Sequence, residues 1–324
     1  MTDDIHAQLL RQIPSVERDY PLSPDGNGLR IATTLGFYTK AHSVVEVIQA
    51  VKAACDAQIP YLVVGANTST LFLGEYFAGL VIQNFSRQVT FVAAKSQVVL
   101  DAGVLLPELI VSAASRGLGG LTGLYGFKGT VGAALTYDPE YNGQRLSSSL
   151  QSLALLLPPT KMKPEPRIVH YSGAWLLGVK GNDRTKIQEL QRLHGLPLSP
   201  VVLTAQLQLT NNRHDEIARR LQIAVQQSQR EQPRGTDWFG PLFCEPQDAS
   251  LIEVLTKAGC TKMSHQGLHL DRHQPNYLRA KRSTPRDSFG RISPELVIEF
   301  VEMVRTQVHT ATTRDLELSF SVVQ

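Results

Sequence analysis

Two stretches of this chain carry the residue types that bind phosphate through backbone amides. The first, VVGANTSTLF (Val63 to Phe72), leaves a short apolar run and turns through a glycine into small polar residues. The second, GLGGLTGLYGFKGTVGAAL (Gly117 to Leu135), holds seven glycines in nineteen residues. Glycine loses more backbone freedom on folding than any other residue. Such density therefore implies a compensating use: an irregular tight turn, close packing of backbone, or backbone laid against a ligand. Small residues let successive N–H groups converge on one anion, and the hydroxyls of Thr68, Ser69, Thr70 and Thr130 add donors. Neither stretch has the Gly-Lys-Ser/Thr ending of a P-loop. The G-x-G-x-x-G spacing starts at Gly117 and Gly119 but has Thr122 at its sixth place. On the residues alone, plain tight turns and a phosphate cradle fit equally.

Such loops act only where neighbouring elements hold them. HSVVEVIQAVKAACDAQ sets Val44, Val47, Ile48, Val51 and Ala54 on one helical stripe, with capping-box spacing at Ser43 and Glu46. IPYLVVGANTST then reads as a buried strand ending in a polar turn, the strand end at which α/β proteins bind ligands. FAGLVIQNF, QVTFVAA and QVVLDAG read as further short strands. LPELIVSAASRG reads as a helix, with Pro107 near its start and Gly117 beyond its last turn. After the glycine-rich stretch, LQSLALLLPP and VVLTAQLQL have the composition of core strands. HDEIARRLQIAVQQSQREQ is a polar helix leading to PRGTDWFG, whose proline and glycines mark a boundary. ASLIEVLTKAG is a short helix stopped by Gly259, and SPELVIEFVEMVRTQV a longer one with Ser293 as N-cap and Pro294 in its first turn. LELSFSVV closes the chain as a strand. This alternation predicts a multidomain α+β or α/β protein.

A chain of 324 residues is long enough for two or three domains. A net charge of +3 is too mild to argue for a nucleic-acid partner. Cys55, Cys244 and Cys260 have no paired spacing, as expected in a reducing compartment. The opening MTDDIHAQLLRQIP carries acids where a secretory signal carries bases. No run approaches the ~20 apolar residues of a membrane span. The expectation is a soluble cytoplasmic protein with no membrane partner.

VVGANTSTLF and FAGLVIQNF, followed by DAGVLLPELIVSAASRGLGGLTGLYGFKGTVGAAL, resemble the flavin-binding half of the UDP-N-acetylenolpyruvoylglucosamine reductases. There the first loop usually reads L-G-G-G-S-N-x-L and the second G-L-x-G-L-E-x-L-x-x-I-P-G-T-V-G-G-A. GPLFCEP, LTKAGCTK, QPNYL and DLELSF resemble later family segments more thinly. The resemblance implies an α+β fold: a two-lobed FAD-binding module of the vanillyl-alcohol-oxidase (PCMH) type, with lobes at 1–85 and 86–213, and a substrate-binding α+β domain at 214–324. It implies that Gly65, Ala66, Asn67, Thr68, Ser69 and Thr70 hold the FAD pyrophosphate. Gly119 and Gly120, with Gly126, Gly129, Thr130, Gly132 and Ala133, would line the other side of the cofactor. Ala66, Asn67, Thr68 and Ser69 replace G-G-S-N, and Lys128 replaces the usual proline.

The family reduces an enolpyruvyl ether on a nucleotide sugar. NADPH reduces FAD, the flavin delivers hydride to the double bond, and a serine supplies the proton while an arginine and a glutamate stabilise developing charge. Here Pro241 stands at the serine's place in GPLFCEP. In YSGAWL, Tyr171 matches a conserved-type position of the motif, while Ser172 occupies the arginine position and Ala174 the serine position. Glu317 matches the family glutamate. Cys244, Ser172 and Tyr171 are the substitute proton donors the residues offer. Two outcomes are expected of such a chain: the family reaction run with substitutes, or a protein that binds FAD or a nucleotide and has lost this reaction, serving as a binding or regulatory protein or acting on another substrate.

Other signals are weaker. His265, His269 and His273 recur every four residues, but HQGLHLDRHQP contains Gly267 and Pro275 and alternates like a strand, which favours packed or solvated histidines over a metal face. RAKRSTPR (Arg279 to Arg286) suits a diphosphate and equally a solvated loop.

Overall fold

The computed structural model describes residues 2–22, 29–66, 70–72, 74–172, 187, 200–233, 238–246 and 248–323. It divides into two compact units, each assembled from separate stretches of chain. One takes 1–18, 37–66 and 78–228; the other takes 19–36, 67–77 and 229–324. The boundary expected at 214 coincides with the start of helix His214–Glu231, whose residues to Ser228 belong to the first unit.

The first unit contains two hydrophobic cores. One is organised by helix α2 (Val44–Asp56), which follows helix α1 (Thr2–Gln12) and buries Val47, Ala50, Val51, Ala53 and Ala54. The sequence starts α2 where the capping box predicts. The Glu46 amide donates to Ser43 Oγ (3.2 Å), and the Glu46 carboxylate accepts from the His42 amide (2.8 Å). This helix packs with a sheet ordered β1 (Glu17–Pro21), β2 (Thr34–Ala41), β5 (Tyr76–Asn84), β3 (Tyr61–Val64). Strand β3 runs parallel to β5, with Tyr61 opposite Leu80 and Val64 opposite Gln83, and so delivers the chain to Gly65 at its carboxyl end.

The other core lies on a five-stranded antiparallel sheet. Its order is β10 (Arg167–Ser172), β9 (Leu150–Leu157), β11 (Val201–Gln208), β7 (Gln97–Asp101), β6 (Val89–Val92). Strand β9 from Leu153 to Leu157 and β11 from Val201 to Leu203 are continuously apolar because both their faces are buried. Ala154, Leu156, Val201 and Leu203 serve the first core, while Leu153, Leu155, Leu157, Val202 and Ala205 serve the second. Helices α3 (Leu106–Ala114) and α4 (Val131–Tyr137) add Leu106, Leu109, Ile110, Val131 and Leu135 to this second core.

The second unit has its own core. Strands β13 (Trp238–Phe239), β16 (Leu278–Ala280), β15 (Leu268–Leu270) and β14 (Ser264–His265) form an antiparallel sheet in that order. Helix Leu251–Lys257 and helix Pro294–Thr312 contribute Leu251, Leu255, Phe300 and Val301 to its core. Gly259, at φ 75°, ends the shorter helix, and Ser293 caps the longer one with its hydroxyl toward the Leu296 amide. The histidine segment is a hairpin, as its alternation predicts: Gln266 and Gly267, both at positive φ, turn β14 into β15. The closing strand is shorter than LELSFSVV suggests. Leu318 makes a single bridge to Phe243, and only Ser321–Val323 form a strand, parallel to β4 (Thr70–Phe72). No helix among the described residues is long and apolar enough to cross a membrane.

Candidate active site

The two glycine-bearing loops meet in the first unit at one point. Gly65, the first residue beyond β3, lies against Thr130, the residue that caps α4. A Cβ built on Gly65 would stand 2.4 Å from Thr130 Oγ1 and 2.7 Å from its methyl carbon. No side chain fits there without forcing the loops apart. Thr130 is 3% exposed and its hydroxyl accepts from the Ala133 amide at 3.3 Å, so it has little freedom to yield. On the other side, Gln83 Nε2 donates to the Gly65 carbonyl (3.4 Å), and the Tyr38 hydroxyl donates to Gln83 Oε1. Gly65 and Ala66 remain half-exposed. Asn67, Thr68 and Ser69 lie outside the described residues, and Thr70 opens strand β4, with Ser321 as its register partner.

The remaining glycines divide by what they touch. Gly119 and Gly120 serve packing: a Cβ on Gly119 would meet Asn212 Oδ1 at 2.7 Å, and Gly120, at φ +99°, lies against Thr210. Gly119, in β8 (Leu118–Gly119), pairs with Thr210, in β12 (Thr210–Asn211), in a short antiparallel ladder. Gly126 faces the Tyr141 ring at 3.2 Å, and a Cβ on Gly129 would strike the Phe127 ring at 2.5 Å. Gly132 lets α4 approach the end of β7, its absent Cβ only 3.1 Å from the Ala102 carbonyl oxygen. The first-turn amides of α4 are already engaged. Val131 donates to Val104 O, Gly132 to Ala102 O, and Ala133 to Thr130 Oγ1. The helix start is therefore held by protein partners, and Gly132 and Ala133 can offer a ligand surface but no spare N–H. Lys128, in the same loop, is exposed along much of its side chain, yet partial burial lowers its pKa.

Beside this loop Asp101 is buried at the end of β7. Burial raises its pKa, and the hydrogen bond from the Gln88 amide (3.1 Å) opposes that rise only in part. A carboxyl whose folded-state pKa is raised binds its proton more tightly in the folded chain. Stability then falls as pH rises from the unfolded value of about 3.9 through the raised one. Asp101→Asn keeps an acceptor for Gln88 and removes the charge. The variant should melt higher than the parent at pH 7, and the difference should vanish below about pH 4; thermal unfolding between pH 3.5 and 8 checks it.

In the second unit, GPLFCEP and DLELSF form one compact assembly. The Cys244 amide donates to the Glu317 carbonyl (2.9 Å), the Ser319 amide to Leu242 O (3.0 Å), and Phe243 bridges Leu318 between them. Cys244 Sγ lies 3.6 Å from Leu318 O. Glu317 and Cys244 are both exposed. The Ser319 hydroxyl donates to the carbonyl of Pro241, which follows a cis peptide bond. A serine hydroxyl thus stands beside Pro241. Asn276, from QPNYL, clamps the other side: its Oδ1 accepts from the Leu242 and Phe243 amides (3.1 and 2.8 Å), and its Nδ2 donates to Phe243 O (2.9 Å). Asn276→Ala would strip the side-chain bonds of the Phe243 amide and carbonyl, while the Leu242 amide keeps its 2.8 Å bond to the Asn276 carbonyl, a loss of about 2 kcal/mol. A drop of that size in chemical denaturation is expected, with Asn276→Asp intermediate because it keeps the acceptor.

Tyr171 and Ser172 occupy edge strand β10, opposite Leu153 and Ser152. Burial alternates along this strand; Tyr171 packs toward the second core while Ser172 is exposed. Consecutive strand residues point to opposite faces, so these two cannot serve one ligand from the strand. Ala174 and Trp175 lie outside the described residues. Among the other signals, His265 Nε2 lies 3.2 Å from Glu299, His269 Nδ1 lies 3.2 Å from Gly267 O, and no group of metal-binding side chains occurs among the described residues. Arg279 of the basic segment is committed to Asp271. Burial alone would raise the pKa of that carboxyl, but bonds from Arg279 and from the Gln274 and His273 amides hold it below the usual carboxylate range.

A family model described as an FAD binding domain matches residues 36–157. The UDP-N-acetylenolpyruvoylglucosamine reductase of Rhodopirellula baltica is 24% identical over 272 residues, covering 83% of this chain and 80% of its own. That of Chlamydia muridarum is 23% identical over 297 residues, covering 90% and 89%. Among solved structures, the UDP-N-acetylenolpyruvylglucosamine reductase of Thermus caldophilus matches with a TM-score of 0.68 at 21% identity, over 91% of this chain and 94% of that one. Together with the FAD-binding match, this likeness bears out the expected α+β fold built on an FAD-binding module.

Proposed function

We infer that this chain, which belongs to the UDP-N-acetylenolpyruvoylglucosamine reductase family, is an FAD-dependent oxidoreductase that uses NADPH to reduce the enolpyruvyl ether of a nucleotide sugar for peptidoglycan precursor synthesis. The observation that carries this reading is the approach of Gly65 to Thr130, which joins two glycine-bearing loops at a point inside the segment matched as FAD-binding. The residues present fit the cofactor: Gly65 and Ala66 are half-exposed just beyond β3, and close packing on the capped Thr130 excludes a Cβ at Gly65, as small residues converging on a pyrophosphate require. Gly65, Ala66, Asn67, Thr68, Ser69 and Thr70 would hold the pyrophosphate. Gly126, Gly129, Thr130, Gly132 and Ala133 would line the remainder, while Gly119 and Gly120 support the loop from behind. When bound, FAD accepts hydride from the nicotinamide and supplies it to the carbon–carbon double bond.

The chain's own residues must then deliver a proton to the neighbouring carbon and stabilise the charge that develops there. Pro241 has no proton to give. Ser319 supplies the hydroxyl, held against the Pro241 carbonyl, with Glu317 two residues earlier in the same segment to stabilise charge. Cys244, paired through its amide with Glu317, is the second donor in reach of that segment. Tyr171 and Ser172 face opposite sides of β10, so only one of them is a candidate for substrate contact. We assign lobes at 1–85 and 86–213 to the cofactor and 214–324 to the substrate; most of each core falls within one of these ranges, with Ala154, Leu156, Val201 and Leu203 crossing into the first and Leu29 and Leu71 into the third. The partner is a small nucleotide sugar, and the compartment in which that precursor is made is the cytoplasm. A second reading, a flavin site retained and the reduction lost, is favoured by Pro241 and by Ser172 at the arginine position. The spectrum of the purified protein tests the cofactor. Flavin absorbance, or a rise in melting temperature with added FAD, is expected; a colourless protein that FAD leaves unstabilised sinks the reading.

A further inference from the structure

The second unit contains a cavity of about 340 Å³ lined by Leu29, Arg30, Arg286 and Gly290. Its walls are fixed by backbone pairing. Ile31 bridges Ile292 in parallel, the Ile292 amide donates to Arg30 O (2.6 Å), and the Ala32 amide donates to Ile292 O (2.7 Å). Leu29 and Ile292 are buried in the core below. This clamp sets Arg30 beside the loop that carries Arg286. The loop is also braced from within: Asp287 accepts from the Phe289 and Arg291 amides and from Arg291 Nε, all at 2.8–2.9 Å. Arg286 Nη1 donates to Gly290 O at 2.8 Å, which holds its guanidinium at the rim.

The charges do not cancel. Asp287, the one carboxylate in this loop, is spent on Arg291. The Arg30 guanidinium has no hydrogen-bond or ion-pair partner among the described residues, and that of Arg286 has only a carbonyl. Lys281 and Arg282, in the segment leading to this loop, likewise lack a carboxylate partner among the described residues. Two guanidinium groups lining one cavity, in a segment of surplus positive charge, have the chemistry that takes up a phosphoryl group through N–H···O bonds.

We propose that the Arg30–Arg286 cavity is an anion site that takes a phosphate or diphosphate group. It lies within the second unit and does not depend on the reductase reading. Titration calorimetry of the full chain with inorganic pyrophosphate, and separately with UDP-N-acetylglucosamine, tests it. Arg30→Gln touches no described bond, so the fold should persist, and it should weaken pyrophosphate binding about tenfold or more; Arg286→Gln should do the same. Lys281→Gln combined with Arg282→Gln removes twice the charge outside the cavity and should change affinity less than about threefold. If the nucleotide sugar weakens in parallel, the site takes the diphosphate of a nucleotide sugar; if only pyrophosphate weakens, it takes free phosphate. Absence of pyrophosphate binding by the parent overturns the proposal, and so does an equal loss in the Lys281/Arg282 control.

Discussion

Replacing Gly65 with valine is expected to abolish FAD binding while leaving the chain folded. At this position the two glycine-bearing loops are within a single atom's width of each other, with the missing Cβ 2.4 Å from Thr130 Oγ1. Valine adds three carbons to a space that does not admit one. Thr130 cannot rotate away at low cost, because its hydroxyl caps α4 and the residue is buried. The strain is instead relieved by parting the loops, and the pyrophosphate loses the converging amides that hold it. The parent should gain about 2.7 kcal/mol of stability at an FAD concentration a hundredfold above its dissociation constant. Gly65→Val should gain none and should purify colourless. Far-UV circular dichroism and a cooperative melt separate loss of the site from loss of the fold. A folded, yellow Gly65→Val protein would show that the pyrophosphate lies elsewhere. Gly129 is a poorer probe, since a side chain there meets the Phe127 ring before it reaches any ligand.

Much of the fold is legible in the sequence because it is locally encoded. The Ser43–Glu46 capping box, the Ser293–Pro294 helix start and the stop at Gly259 all act through neighbours a few residues away, and each appears where the sequence places it. The apolar runs of β9 and β11 announce strands buried on both faces, though not that the faces serve two different cores. What a linear reading misses is pairing across long separations. Gly119 looks like a ligand contact until Asn212 is seen against it. Tyr171 and Ser172 look like partners because they are adjacent, yet strand alternation sets them on opposite faces. Ser319 carries no local signal at all: its relation to Pro241 spans 78 residues and exists only once the 317–319 segment pairs with 242–244. Asn276 is similar, since its value lies in three bonds to a segment more than thirty residues away.

That pairing decides the second large effect, which concerns proton delivery. Anaerobic stopped-flow measurement separates reduction of the bound cofactor by NADPH from its reoxidation by UDP-N-acetylglucosamine enolpyruvate. Reduction moves hydride only between nicotinamide and flavin, so neither Ser319 nor Cys244 should affect it. Reoxidation places hydride on one carbon and requires a proton at the next, and positioned proton donors contribute about 10²–10⁴ in rate. Ser319→Ala is therefore expected to slow reoxidation by about a hundredfold or more and leave reduction unchanged. Cys244→Ala should change reoxidation by less than about threefold, because Cys244 lies on the solvent-exposed side of the same pairing, whereas Ser319 is half-buried. Glu317→Gln should slow reoxidation by about a hundredfold as well, through the loss of charge stabilisation. A solvent deuterium isotope effect on reoxidation in the parent that changes in Ser319→Ala would tie the loss to proton transfer, not to a displaced segment. If Cys244→Ala is the slow variant, the thiol is the donor and Ser319 only braces Pro241. If the parent itself is reduced normally and not reoxidised, the chain has kept its cofactor site and lost its second step, as Pro241 and Ser172 by themselves imply.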